Sequence, residues 1–187
     1  ELGLARFAQL HPDHDALQSR AANIEGHGAI PLADLTRMAL RMDPDRVVVG
    51  EVRGAEAFPM LMAMSQGNNG SMCTMHADST RSVFPKLAAY VSMASTGLPV
   101  ETVNLLVASA IHFVVYIDNT NSVRRVTSVR EVVDSEGSTI VSNEIFHLNI
   151  EDGLVTGFPL REHTRKLLAA HGLGTHTSSV PKIENAS

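Results

Sequence analysis

Short apolar runs separated by polar breaks organise this chain, and the period of each run predicts its element. Leu35, Met38, Ala39 and Met42 recur at helical spacing, so residues 32–42 read as an amphipathic helix that stops before Pro44. Its methionines read as core filler. Val47-Val48-Val49 is β-branched without polar alternation, which predicts a strand over 46–50, buried on both faces of a mostly parallel sheet. Residues 55–66 then read as a helix, 71–75 as a strand and 79–95 as a long helix closed by Gly97. Pro59 and Pro85 lie slightly late for the first turns of these helices, so a local kink is expected at each. Strand, helix, strand, helix is the pattern of parallel crossover units.

Beyond Pro99 the pattern changes. A helix to Ala110 leads into apolar runs at 111–117, 123–133 and 139–146, with turns expected at Asp118–Asn121 and Asp134–Gly137. This portion reads as an antiparallel meander that extends or flanks the edge of the parallel sheet. A brief extended piece at 153–158 and a helix at 161–170 follow. Residues 2–10 are ambiguous, with a short helix as one reading, and 16–20 are a strand candidate. The polar residues 173–187 are expected to be disordered. The fold class is therefore α/β, with residues 1–97 as one part, 98–172 as a second and 173–187 as a tail.

Composition sets the outer bounds. The chain has 187 residues, 44% of them hydrophobic, and a mean hydropathy of +0.03, which reads as a soluble globular protein. No uninterrupted apolar stretch approaches the ~20 residues of a membrane helix. A start at Glu1 rather than Met reads as a fragment. The net charge of −5 argues against a general nucleic-acid or anionic-lipid surface, and Arg124, Arg125 and Arg130 read as the solvated face of a strand. Cys73 is the only cysteine, so no intrachain disulfide can form, and it reads as a small core residue. His11-Pro12-Asp13-His14-Asp15 reads as a polar turn rather than a zinc site.

Candidate chemistry gathers in the middle of the chain. Glu51 follows the first predicted strand and His76 ends the second, so both fall where α/β sheets bind ligands, beyond the carboxyl ends of their strands. A carboxylate and an imidazole there fit nucleotide hydrolysis, which works by positioning groups and neutralising charge around a phosphate. Each has a plainer alternative. Glu51 can be a strand-end carboxylate, exposed or paired with Arg53, and His76 can cap the next helix beside Asp78 and Ser79. All three lysines (Lys86, Lys166, Lys182) follow Pro or Arg, so no GxxxxGK[ST] phosphate loop is present.

Several segments carry a family resemblance: 20–26 (RAANIEG), 34–45 (DLTRMALRMDPD), 47–54 (VVVGEVRG), 70–79 (GSMCTMHADS), Ala108–Ile111 and Arg124–Thr127. Together they resemble the type II/IV secretion and pilus-assembly motor ATPases, most closely the CpaF/TadA-like branch. The resemblance implies a partial RecA-like P-loop NTPase core, with the phosphate loop upstream of this chain. Glu51 then belongs to an atypical Walker B motif in which Gly50 takes the place of the usual Asp, and it orders Mg²⁺ through water or polarises the attacking water. His76 falls in the family's His box, with Thr74 beside it, and contacts or senses the γ-phosphate. Arg53 and Arg20 are further candidates for phosphate contact. ATP and Mg²⁺ are the implied cofactors. The implied partners are sister subunits in a hexameric ring and an inner-membrane platform protein, at the cytoplasmic face of the membrane. Pro59 departs from the pattern expected after GEVRG. Two other readings stand beside this one: a truncated, catalytically silent assembly module, and a RecA-like DNA translocase, against which the acidic balance and scarce aromatics count.

Overall fold

A computed structural model describes residue 9, residues 11–120 and residues 122–173. The expected helix within 2–10 and the expected tail lie almost wholly outside the described residues.

Helix α1 (Leu32–Ala39) runs into a 3-10 turn at Leu40–Met42, and the chain stops there because Asp43 takes a left-handed φ of 53° ahead of Pro44. Strand β1 (Val48–Val49) leads to α2 (Ala57–Ser65), β2 (Met72–Cys73) and α3 (Val83–Met93). Both prolines prove harmless. These helices start later than the sequence predicts, at Ala57 and Val83, so Pro59 and Pro85 each take the third helical position. First-turn N–H groups have no intrahelical partner, so neither ring removes a bond and no kink is called for. The strand expected at 16–20 is absent; Arg20 makes a single bridge to Ile30.

Helix α4 (Val100–Ala110) then feeds β3 (Phe113–Thr120), β4 (Val123–Glu136), β5 (Thr139–Leu148) and β6 (Val155–Thr156), before α5 (Glu162–Ala170). Strands β1 and β2 pair in parallel, while β3-β4-β5-β6 form a separate antiparallel sheet. The parallel component is thus one short pair, and the meander flanks it rather than extending it. The strands also run further than predicted: β3 continues through Asp118–Thr120 and β4 through Asp134–Glu136, leaving a tight connection to β5 at 137–138.

One hydrophobic core joins these pieces. Val49, Met60, Leu61, Leu87, Val91, Val103, Val107 and Val132 belong to it, so it draws on helices and strands from both sides of Gly97. Expected burial on both faces of β1 fails. Val47 and Val49 face this core at 7% and 4% exposure, but Val48 and its partner Met72 are 41% and 54% exposed. Only one face of the pair is covered by the helices. Met38 and Met42 are likewise exposed rather than core filler, because α1 buries Ala33, Leu35 and Thr36 instead.

Candidate active site

Parallel pairing places the ends of β1 and β2 at the same edge. Met72 N–H donates to the Val47 carbonyl (3.0 Å) and Thr74 N–H to Val49 (3.3 Å), and the ladder outlasts the strands because Val52 N–H donates to Thr74 (2.8 Å). The Thr74 hydroxyl closes the gap by donating to the Gly50 carbonyl. Glu51 is therefore held between two buried anchors, Val49 and Val52, and opposite the segment that leads to His76. Glu56 fixes the following turn, its Oε1 accepting the N–H groups of Arg53 and Gly54.

The result is a compact charged pair. His76 Nε2 lies 3.1 Å from Glu51 Oε1, while Arg53 pairs with Glu51 Oε2. The Glu51 side chain is only 15% exposed, against 89% for His76 and 74% for Arg53. Its carboxyl is held below the usual value, first by the hydrogen bond from Arg53 and then, against burial, by the charges of Arg53 and His76. Glu51 is thus ionised at neutral pH. Oε1 nevertheless has no donor aligned on it, since the His76 ring is near but not directed along a hydrogen bond.

Of the residues singled out in the sequence, Glu51, His76, Arg53, Gly50 and Thr74 come together here. Arg20 does not join them: its Nε donates to the Gly28 carbonyl (2.8 Å) within its own 20–30 loop, which lines a separate concavity of about 320 Å³ with Asn23 and His27. Capping by His76 is not what the structure shows. Helix α3 begins at Val83, its preceding turn is tied by Ser79 and Ser82, and the His76 ring lies against Glu51. The pairing of Glu51 with Arg53, the plainer alternative for that acid, is present together with the His76 contact. Sequence reasoning missed Glu56 and Lys86. Glu56 had a readable signal, a carboxylate placed to reach back to preceding N–H groups. Lys86 donates to the His76 carbonyl (2.7 Å), a contact ten residues apart that only the turn at 78–82 creates.

The chain is of mixed α/β build, and its ionised acid and imidazole stand together at the carboxyl ends of the parallel strands. The family follows from comparison with known proteins. A model described as type II/IV secretion system protein matches residues 12–144, and the chain belongs to that family. A putative conjugal transfer protein of Mycobacterium tuberculosis is 36% identical over 121 residues, 65% of this chain and 34% of the relative. The type IV secretion system protein VirB11 of Brucella suis is 33% identical over 116 residues, 60% of this chain and 32% of the relative. The crystal structure of the Brucella suis VirB11 ATPase in complex with sulphate superposes with a TM-score of 0.50 at 30% identity, covering 54% of this chain and 31% of that one. The chain spans about a third of the length of these relatives.

Proposed function

We propose that this chain is the carboxyl-terminal part of a secretion or pilus-assembly motor ATPase, in which ATP hydrolysis drives assembly or transport through a membrane secretion complex. The observation that carries the proposal is the meeting of Glu51 and His76 at 3.1 Å on the strand-end edge, in a chain of the type II/IV secretion family. The ATPase name borne by the Brucella relative supports it. Residues 1–97 would be the second half of a RecA-like core, 98–172 its antiparallel flank, and the pilus-assembly branch the finer placement.

Glu51 fits a hydrated Mg²⁺: its Oε1 is buried without an aligned donor, and hard oxygen ligands are what that ion takes. Mg²⁺ and ATP would bring the γ-phosphoryl group and neutralise the charge that builds on it. Glu51 would hold the ion through its waters or orient the attacking water, Arg53 would keep Glu51 ionised, and His76 would donate a hydrogen bond to a phosphate oxygen. Gly50 and Thr74 would set the floor of the site, while Arg20, tied to Gly28 in its own loop, would meet a phosphate only away from Glu51. A hexameric ring of such subunits would pass its motion to an inner-membrane platform protein from the cytoplasmic side, with no direct nucleic-acid contact.

Glu51→Gln in the full-length protein tests this. Nucleotide binding should persist while turnover is lost, and unchanged turnover would remove Glu51 from the mechanism. The openness of the site favours a second reading, a catalytically silent assembly module, because His76 and Arg53 stand largely in solvent. A full-length protein that binds its secretion partners but turns over no ATP would establish that module.

A further inference from the structure

The segment from His76 to Ser82 belongs to no helix or strand, so its position depends on side-chain ties. Two sets of ties are local to α3. Lys86 donates to the His76 carbonyl (2.7 Å), and the Ser82 hydroxyl accepts from Asp78 (3.1 Å) and Ser79 (3.0 Å). A third reaches across the molecule. Thr80, only 2% exposed, places its Oγ1 3.1 Å from the Ser128 hydroxyl and 3.1 Å from Arg130 Nε, both on β4.

Arg130 is itself 3% exposed, a costly place for a guanidinium unless its charge and donors are matched. Glu144 on β5 supplies the match at 3.6 Å and accepts from Ser128 at 2.6 Å, while His147 stands 3.6 Å from the same oxygen and Arg81 adds a second positive charge nearby. An apolar side chain could fill the Arg130 position without that desolvation. The polar cluster therefore does more than fill space: it grips the one residue of the His76 segment that is fully buried.

Resting on the ATPase reading above, we infer that Arg130 and Ser128, through Thr80, are positioning residues for His76, so that the antiparallel sheet sets where the imidazole stands relative to Glu51. Lys86 and Ser82 fix the segment to α3; among the described residues, Thr80 hydrogen-bonds it to the sheet. A shift of the sheet against α3 thus moves His76, and a shift of His76 is felt by the sheet.

The test is made in the full-length protein with three variants. Thr80→Val keeps the shape and removes the hydroxyl, Thr80→Ser restores it, and Glu51→Gln serves as the control for the underlying activity. Thr80→Val should lower kcat for ATP by about ten- to a hundredfold, the scale of a small misplacement of a reacting group, with KM for ATP little changed. Thr80→Ser should recover most of the loss. A purely structural role would instead lower the melting temperature and leave kcat per folded enzyme intact well below it. Wild-type kcat in Thr80→Val, with Glu51→Gln inactive, overturns the inference and leaves the ATPase reading standing. Full turnover in Glu51→Gln overturns the ATPase reading and this inference with it. Should Thr80→Val melt below the assay temperature, Ser128→Ala removes the facing hydroxyl and carries the same expectation and the same refutation.

Discussion

Removing the Glu131 carboxylate should release α5. Glu131 is 1% exposed, yet it accepts from the Arg161 backbone N–H (3.2 Å), from Arg161 Nε (2.9 Å) and from the Thr164 hydroxyl. The Arg161 guanidinium also donates to the carbonyls of Val132 (3.0 Å) and Val133 (3.2 Å). No residue of α5 is buried, so this polar latch, rather than an apolar face, seats the helix. Breaking a buried pair by deleting one partner typically costs about 3–5 kcal/mol, because the other charge stays behind unmatched. Arg161 is 38% exposed and can take up water, which places Glu131→Ala at the low end, about 3 kcal/mol.

Urea denaturation measures that loss directly, and a thermal melt should move down by about 6–12 °C for a chain of this size. The cycle with Arg161→Ala isolates the pair, and a coupling energy of at least about 1 kcal/mol is expected for residues in one network. The effect must also depend on pH. Burial raises the Glu131 pKa, but the Thr164 hydroxyl and the Arg161 donors and charge outweigh it, leaving the folded value below the unfolded 4.5. A depressed carboxyl stabilises above the unfolded pKa and loses that contribution as pH falls through the folded one. The gap between wild type and Glu131→Ala should therefore be full at neutral pH and close in acid. A Glu131→Ala variant within about 0.5 kcal/mol of wild type at pH 7, or a cycle with no coupling, would refute the latch.

Three further outcomes follow from burial and charge. His76→Ala should leave stability within about 0.5 kcal/mol, because the ring is 89% exposed, while lowering ATP turnover in the full-length protein; a collapsed melt would assign it a folding role. Leu87→Ala, at a position 1% exposed in the core, should cost about 2–5 kcal/mol by urea melt, and a smaller loss would mean that the helix layer collapses around the gap. Burial pushes the Cys73 thiol up to about 11, so alkylation at pH 8 should run about a hundredfold slower than for a thiol at 9.0; equal rates in the native and urea-unfolded chain would contradict that burial.

The elements were legible where one period held over enough residues. The Leu35 spacing gave α1, the two apolar runs on either side of GEVRG gave β1 and β2, and the acid and histidine at their ends meet in space as their positions imply. What failed has physical causes. The unalternated Val47-Val48-Val49 predicts cover on both faces of β1, but the second face of the pair stays largely open, with Val48 41% and Met72 54% exposed. The sequence places Arg130 on a solvated strand face together with Arg124 and Arg125. Those two are exposed, but β4 carries an extra residue at Thr127 against β3 and another at Val133 against β5, and in the stretch between these bulges Arg130 is buried. No local pattern announces a bulge.

The same buried stretch of β4 contacts both parts of the chain. Neighbouring side chains on a strand point to opposite faces, so Arg130 and Glu131 look away from each other, and both are nevertheless buried, at 3% and 1%. One grips Thr80 below His76; the other grips Arg161 at the start of α5. A parallel pair of two-residue strands is marginal by itself, and the helices cover only one of its faces. The segment beyond β2 that carries His76 is then braced from α3 by Lys86 and Ser82 and from β4 through Thr80. A strand that seats a helix on one face and a site loop on the other is suited to carry displacement between them, because neither contact can relax without exposing a charge that was buried and paired.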